Sequence, residues 1–328
     1  MISDGVANGV ANVDYASAAI IGAGQAGAAL GHALRRIGIP VAGVASRSDD
    51  SARRLAADLH AATMSPAEAL AAAELVIVAT PDDVTEGAVR QWASRLGERG
   101  TELHGTTVVH TSGVLELAVL TPLGELGARV GVLHPVTPLV PPDDAATLAK
   151  KPIGCEISVP DGASATPETG DRSGGNWATA LASALGGRPV ALAGVQRPLY
   201  HAAASMSANL VVGMAGAASR AFVAAGADTD DAAALVGSLL QATAANVAEH
   251  GPEVALTGPA RRGDAQVLAS HMQALAAVDP ELAETYRLVS RRILDLMPEG
   301  DALDRAHAAL ARPADTETGG NKGREGGT

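Results

Sequence analysis

The glycine pattern Gly22-x-Gly24-x-x-Gly27 constrains the fold more than any other feature of this chain. The apolar run Ala18–Ile21 before it fits a buried parallel strand, and Gln25–Ile37 after it has apolar residues at helical spacing. A glycine loop between a strand and a helix is typical of a dinucleotide-binding turn, with the helix N-terminus facing the phosphates. Because glycine fills 37 of 328 positions, chance alone gives about half a match, so the flanking strand and helix carry the prediction.

The first half of the chain continues to alternate strands and helices. Further strands are predicted at Ile39–Ser46, Glu74–Thr80, Thr106–Gly113 and Ala128–Pro135, and late edge strands at Pro152–Val159 and Arg188–Ala193. Helix starts are predicted at Asp49 or Asp50, as a cap, and at the capping box Ser65–Glu68. This alternation predicts an α/β fold with a doubly wound parallel sheet.

Strands disappear after Gln196. Helices are predicted at Arg197–Gly226, Asp228–Gly251, Asp264–Val278 and Glu281–Met297. The chain is therefore divided into a disordered tail (1–15), a dinucleotide-binding domain (16–193), an all-helical substrate and dimerisation domain (194–312) and a second disordered tail (313–328). A mobile loop is predicted at Pro160–Asn176.

Charge and composition exclude several classes of protein. The net charge is −12, and no basic face is evident, which argues against nucleic-acid and anionic-membrane partners. Cys155 is the only cysteine, and the nine histidines form no metal-binding motif, so neither a disulfide nor a metal is expected. No uninterrupted apolar run reaches the ~18 residues of a spanning helix, and no signal peptide is apparent. These features predict a soluble cytoplasmic protein.

Residues that follow the strands are the candidate cofactor ligands. Ser46, Arg47 and Ser48 stand where an NAD site has a carboxylate, and a guanidinium there favours the 2′-phosphate of NADP. An exposed surface arginine is the alternative. The complete candidate set is Gly22, Ala23, Gly24, Gln25, Ala26, Gly27, Ser46, Arg47, Ser48, Ala79, Thr80, Pro81, Thr111, Ser112, His134 and Pro135.

Candidate catalytic residues lie in the helical half. His201, Ser205 and Asn209 recur every four residues and predict a polar stripe on one apolar helix. Asn209 would stabilise a developing oxyanion, and His201 would deliver a proton near neutral pH. The alternative is a buried network of interhelical hydrogen bonds.

A loop rich in cations supplies the other catalytic candidates. In LTGPARRGD (Leu256–Asp264), Arg262 is a candidate clamp for a substrate carboxylate, with Thr257 and Asp264 beside it. Asp264 is also the expected cap of the next helix. A salt bridge between Arg262 and Asp264 is the alternative.

The chain resembles one family over about Ser17–Leu310, through the motifs IIGAGQAGAAL, VATPDD, VVHTSGVL, GVLHPVTPL, YHAAASMSANL and ALTGPARRGDAQVLASHMQAL. The family comprises Rossmann-like oxidoreductases with a C-terminal helical domain of unknown function. More distantly, the chain is similar to ketopantoate reductase, pyrroline-5-carboxylate reductase, prephenate dehydrogenase and the 6-phosphogluconate dehydrogenase superfamily.

The resemblance implies NADP(H)-dependent reduction in a cleft between the domains and a homodimer formed through a 6-phosphogluconate-dehydrogenase-like helical domain. Some members are linked to pantothenate synthesis, so the expected substrate is a small keto acid such as ketopantoate. A prephenate- or pyrroline-type substrate and a non-catalytic NADPH sensor are the alternatives. The Lys that related reductases carry one helical turn before the Asn is replaced here by Ser205, which leaves the source of the proton open.

Overall fold

A computed structural model of the chain describes residues 13–139, 148–158 and 177–311. Most of the two expected tails and the Pro160–Asn176 loop lie outside the described residues. The chain divides into two compact units between Ala208 and Asn209. The sequence instead put the boundary between residues 193 and 194.

The first unit contains one mixed sheet. Among the described residues it has eight strands in the order β3-β2-β1-β4-β5-β6-β7-β8. They are β1 (Ala18–Ile21), β2 (Val41–Ala45), β3 (Ala62–Thr63), β4 (Leu75–Val78), β5 (Thr107–His110), β6 (Arg129–Pro135), β7 (Pro152–Ile157) and β8 (Arg188–Ala191). All neighbours pair in parallel except β6 and β7.

The doubly wound sheet is thus confirmed, with two corrections. Strand β3 was not predicted, because it has only two residues and both are exposed. Both late strands, β7 and β8, were also predicted to lie at the edge of the sheet. β8 does lie at the edge, whereas β7 lies between β6 and β8.

Helices cover both faces of this sheet. They are α1 (Gln25–Arg36), α2 (Asp49–Leu59), α3 (Pro66–Ala72), α4 (Asp82–Glu98), α5 (Thr121–Gly124), α6 (Trp177–Ala184) and α7 (Arg197–Ser207), with a 3-10 turn at Leu117–Leu120. Alternate residues of β1 enter two separate cores: Ile20 packs with α1, α2 and α6, and Ile21 packs with α3 and α4. Burial on both faces explains why the strand sequences are continuously apolar.

Two helix starts show how local sequence sets the boundaries. Ser65 and Glu68 form the predicted capping box, with Pro66 in the first turn. The cap of α2 is Ser48, not Asp49 or Asp50, since Ser48 is extended and its hydroxyl accepts a hydrogen bond from the Ser51 amide at 3.3 Å. Asp49 is already helical and instead places a negative charge in the first turn.

The second unit is helical throughout its described residues. Its helices are α8 (Asn209–Ala224), α9 (Thr229–His250), α10 (Pro252–Ala255), α11 (Gly258–Arg262), α12 (Ala265–Val278), α13 (Pro280–Leu294) and α14 (Asp301–Ala309). A small core forms where α11 to α14 meet, around Leu268, Leu294 and Leu310. The sequence predicted a loop where α11 forms and gave no sign of α14.

The predicted helix Arg197–Gly226 is two helices. Ala208 has φ −128° and ψ −73°, which ends α7 before α8 begins. The Ser207 hydroxyl donates a hydrogen bond to the Ala203 carbonyl at 2.9 Å, a contact that bends helices.

The stretch Arg197–Ala224 is one candidate membrane span among the described residues, by length and composition only. It has 28 residues and a mean hydropathy of 1.2 in its best window. A single such stretch is weak evidence. The break at Ala208 leaves 16 residues in α8, fewer than the ~20 that cross a bilayer.

Candidate active site

The three glycines of the first turn have different surroundings. Gly22 has φ +115°, and a Cβ there would lie 2.2 Å from the Ala79 carbonyl oxygen. A Cβ on Gly27 would lie 2.0 Å from the Gly22 carbonyl oxygen. Gly24 has no atom within 4 Å of its would-be Cβ. The first and third glycines therefore permit close packing, and the second leaves open space for a ligand.

The N-terminus of α1 borders this open space. Gly24 is the N-cap and has no side chain to satisfy the first amides of the helix, and the Ala28 amide donates to the Gly24 carbonyl at 2.9 Å. Ala23 and Ala26 are half-buried, and Gln25 is exposed. The first amides of α1, before Ala28, are thus available to an anion, as the phosphate-binding prediction requires.

The residues after β2 form the expected ribose end. Ser46 is half-buried, and Arg47 and Ser48 are exposed. The Ser48 hydroxyl is engaged in capping α2, as described above. Arg47 forms no ion pair with another described residue, and the nearby Asp50 pairs with Arg53.

Two further loops at this edge of the sheet are held by their own hydroxyls. Thr80 Oγ1 lies 2.7 Å from Thr85 Oγ1, and Thr85 donates to the Pro81 carbonyl at 2.8 Å. Ser112 Oγ accepts from the amides of Val114 and Leu115 at 3.1 and 2.9 Å. The hydroxyls of Thr80, Thr85 and Ser112 therefore shape these two loops, in addition to any role with a ligand.

A histidine–tyrosine pair lies at the end of β6. His134 Nδ1 lies 3.0 Å from the Tyr200 hydroxyl oxygen, and the rings meet edge to face with centroids 5.7 Å apart. The His201 ring lies 6.4 Å from that of His134. The predicted residues His134 and His201 are thus brought together, and Tyr200 joins them.

Glycines provide the space for this cluster. A Cβ on Gly113 would lie 2.7 Å from His134 Cε1 and 2.9 Å from His201 Cδ2. Gly154 pairs with His134 across the antiparallel β6–β7 ladder, and its would-be Cβ lies 3.1 Å from the Tyr200 hydroxyl. A side chain at Gly113 would displace a ring of the cluster, whereas one at Gly154 would first meet Leu192 Cδ1, at 2.5 Å, and would also crowd the Tyr200 hydroxyl.

Burial keeps two histidines of this region neutral. The pKa of His134 is lowered to about 4, mainly by burial and then by the nearby charges of His201 and Arg197. The pKa of His110 is also lowered to about 4, again mainly by burial and then by Arg197. His110 Nδ1 accepts a hydrogen bond from the Ser112 amide at 3.2 Å. Neither imidazole is protonated at pH 7.

A buried ion pair lies near the same cluster. Arg197 is fully buried in the first turn of α7 and pairs with Glu156 on β7, whose side chain is 18% exposed. Removing one partner of such a pair leaves the other charge buried and uncompensated. Arg197 is therefore a fixed positive charge close to His134 and Tyr200.

The predicted polar stripe does not run along one helix. Ala208 interrupts it, so His201 and Ser205 lie on α7, while Asn209 is the first residue of α8 in the second unit. His201 and Asn209 are exposed and Ser205 is half-buried. Neither the Ser205 nor the Asn209 side chain hydrogen bonds to another described residue, so the alternative of a buried network finds no support among these contacts.

The remaining candidates lie in the second unit. Arg262 donates from Nε and Nη2 to Asp264 Oδ2, each at 2.8 Å, which is the ion pair that the sequence left as the alternative. Asp264 stands at the N-cap of α12, but its side chain caps no amide. Thr257 is exposed at the N-cap of α11. Arg262 would have to exchange partners to bind a carboxylate.

Sequence reasoning missed Tyr200, Gly154 and Arg197. A usable signal was present for the tyrosine: it is one of only three in the chain and directly precedes His201. The glycine and the arginine carry no such signal, because Gly154 faces His134 only through strand pairing and Arg197 meets Glu156 only once α7 packs on β7. No group of three metal-ligating side chains is found among the described residues.

Two family models match the chain. Residues 5–135 match a Rossmann-like domain, and residues 166–293 match a domain of unknown function, DUF2520. The chain combines a Rossmann-like domain with a DUF2520 domain. These matches confirm the family resemblance, whereas no curated protein matches the chain.

Solved structures with a similar fold include oxidoreductases. A Bacteroides fragilis protein assigned as an NADP oxidoreductase is 26% identical, with a TM-score of 0.66, over 86% of this chain and 99% of that one. Pyrroline-5-carboxylate reductase from Coxiella burnetii is 17% identical, with a TM-score of 0.53, over 87% and 100%. An Aspergillus terreus reductive aminase, in complex with NADPH and ethyl-5-oxohexanoate, is 18% identical, with a TM-score of 0.57, over 89% and 98%.

Proposed function

We propose that this protein is an NADP-dependent oxidoreductase that reduces a small keto acid. The observation that carries the proposal is the glycine turn, where Gly22 and Gly27 pack tightly and Gly24 faces open space. This is the arrangement in which backbone amides approach a pyrophosphate. The fold shared with the Bacteroides fragilis protein that is assigned as an NADP oxidoreductase supports the same conclusion.

The phosphates would be held by the first amides of α1, and the 2′-phosphate by Arg47. Arg47 is exposed and free of ion pairs with other described residues, so its guanidinium can form charge-assisted hydrogen bonds with a phosphate. Ser46 and the loops ending in Pro81, Ser112 and Pro135 complete the proposed cofactor site.

A bound reduced nicotinamide supplies the hydride. The protein orients the substrate and stabilises the charge that develops on its carbonyl oxygen. Asn209 is the proposed donor to that oxygen. Arg262 is the proposed carboxylate ligand, after exchange of its partner Asp264.

The proposed substrate class is a small keto acid, with ketopantoate as the first to test. A cyclic substrate of the prephenate or pyrroline type is the second candidate, because the Coxiella burnetii and Aspergillus terreus neighbours act in pyrroline and amine chemistry. An NADPH sensor is the third, because the related reductases' lysine is absent. A sensor would bind NADPH and oxidise none with any keto acid or imine.

We also propose a cytoplasmic homodimer formed through the helical domain. Helix α8 has no buried residue, and Leu210, Val212 and Leu239 on α8 and α9 are each more than half exposed, at 58, 72 and 58%. An apolar surface of this kind is typical of an interface. Sedimentation of wild type and of Val212→Glu tests this: a dimer that the variant converts to monomer supports the proposal, and a wild-type monomer contradicts it.

Titration with NADPH and NADH tests the cofactor assignment. Wild type should prefer NADPH, and Arg47→Ala should lose about 10- to 100-fold in NADPH affinity with little change for NADH, because a charge-assisted contact is worth about 1.5–3 kcal/mol. Arg53→Ala, which removes a neighbouring exposed arginine already paired with Asp50, is the matched control. Equal losses for both cofactors in Arg47→Ala would show that Arg47 does not bind the 2′-phosphate.

A further inference from the structure

We propose that Tyr200 is the proton donor of this reductase and that His134 is the residue that positions it. The assignment rests on the proposed reductase function and supplies the proton that the absent lysine leaves without a source. Its basis is the 3.0 Å contact between the Tyr200 hydroxyl and His134 Nδ1. Both residues lie in the first unit, and both are half-buried, so the pair is supported by packing and still reached by solvent.

The backbone is built to allow this contact. His134 ends a strand whose antiparallel partner has Gly154 at the facing position. Because Gly154 has no side chain, the Tyr200 hydroxyl can approach the sheet within 3.1 Å of the place a Cβ would take. On the other side, Gly113 lets the imidazoles of His134 and His201 approach each other. The pair is thus fixed on two sides by closely packed backbone.

The groups around the phenol suit a proton donor. Those near it are His134 and Cys155 from the sheet and Arg197 from α7, which is paired with Glu156. Burial raises the pKa of Tyr200, while the positive charge of Arg197 lowers it, so the phenol keeps its proton at pH 7. Burial raises the pKa of the Cys155 thiol to about 12, so that group adds no negative charge at pH 7.

In the proposed step, a proton moves from the Tyr200 hydroxyl to the substrate oxygen. As a carbon–hydrogen bond forms at the substrate carbonyl carbon, the electron pair of the carbon–oxygen π bond moves to oxygen. That oxygen takes the proton of the Tyr200 hydroxyl and becomes an alcohol, and the phenolate oxygen accepts a hydrogen bond from His134 Nδ1–H. The neutral His134 tautomer with its proton on Nδ1 can donate this hydrogen bond. The tautomer with its proton on Nε2 could not, because its Nδ1 is an acceptor. Solvent then returns a proton to Tyr200.

Two tyrosine variants provide a matched test. Tyr286 in the second unit forms a similar pair, with its hydroxyl 3.0 Å from His271 Nδ1. NADPH oxidation is followed in the full-length chain with ketopantoate and with 1-pyrroline-5-carboxylate as probes. Tyr200→Phe should lower kcat by about 10²–10⁴-fold with NADPH affinity unchanged, since positioned general acids contribute that much. Tyr286→Phe should leave both quantities unchanged.

The outcomes separate this assignment from the proposed function. Wild type that binds no NADPH, or oxidises none with either probe, overturns the reductase function and the assignment with it. Wild type that turns over while Tyr200→Phe keeps kcat within threefold overturns the assignment alone. A melting curve for each variant distinguishes a lost proton donor from a lost fold.

A second measurement needs no turnover. Ultraviolet titration of the phenols in wild type, minus that in Tyr200→Phe, gives the pKa of Tyr200. His134→Phe, which keeps an aromatic ring, should raise that pKa by about one unit, a tenfold weaker acid, because the phenolate loses a hydrogen-bond donor. A pKa that stays the same or falls in His134→Phe would show that His134 does not stabilise the phenolate, and the assignment of His134 would be wrong.

Discussion

Acidification should destabilise the first unit through its buried histidines, and His110 gives the sharpest test. Its pKa is about 4 in the folded protein against an ordinary value of 6.5, so between these values the unfolded chain binds the proton more readily. The free energy of unfolding is therefore not reduced by His110 above pH 6.5, and protonation of the unfolded chain lowers it as the pH falls toward 4. Between pH 7 and pH 5, linkage gives a loss of about 2 kcal/mol for this residue.

Urea unfolding followed by tryptophan fluorescence reports this loss of stability for the first unit of the protein. The chain has two tryptophans, Trp92 and Trp177, and both pack against the cores of the first unit. His110→Asn keeps an acceptor for the Ser112 amide and removes the titrating group. At pH 7 the variant should have a lower free energy of unfolding than wild type, because the smaller side chain leaves a cavity. Between pH 7 and pH 5 its free energy of unfolding should fall by about 2 kcal/mol less than that of wild type.

The control for this experiment is His104→Asn, which removes a histidine whose side chain is 73% exposed. This variant should follow the wild-type pH dependence. His134 contributes to the acid sensitivity of both variants, so neither should be insensitive to pH. If His110→Asn lost as much stability as wild type between pH 7 and pH 5, the burial argument for His110 would be refuted.

Further predictions concern binding, catalysis and reactivity. Gly27→Ala should lower the melting temperature, because its Cβ would lie 2.0 Å from a carbonyl oxygen, whereas Gly24→Val should lose NADPH affinity with little change in melting; retained affinity in Gly24→Val would contradict the phosphate site. Asn209→Ala should reduce kcat by about 10²–10³-fold with unchanged NADPH affinity, in a steady-state assay with ketopantoate; normal turnover would remove Asn209 from the site. Thiol labelling should find Cys155 unreactive at pH 8 in the native protein and fully reactive in urea, because burial raises its pKa to about 12; rapid native labelling would contradict that burial.

The first unit was largely predictable because its signals are local. The apolar strands, the capping box at Ser65 and the glycine turn each depend on residues close together in the sequence. The predicted N-cap of α2 was wrong, because Ser48 and Asp49 are both residue types that cap helices well and only the backbone conformation distinguishes them.

The candidate site was harder to predict because it depends on pairing across the sheet. His134 and Gly154 are neighbours only through the antiparallel β6–β7 register, and no periodicity in the sequence indicates that register. The break at Ala208 was missed for a different reason. Ala208 itself favours a helix and no proline or glycine lies between Leu199 and Val212, and the hydrogen bond from Ser207 to Ala203 becomes visible only in three dimensions.

The small residues in the core of the first unit determine which mutations it tolerates. Ala19, Ala29 and Ala33 are fully buried, and a Cβ on Gly31 would lie 2.6 Å from a Leu59 methyl carbon. Truncating such residues removes little or nothing, so large cavities arise at the buried leucine, isoleucine and valine positions and not at these. Enlarging the small residues forces neighbouring backbone apart. At these small-residue positions, random variation should therefore cause damage by adding atoms, not by removing them, and selection for improved stability should rarely find gains by filling space.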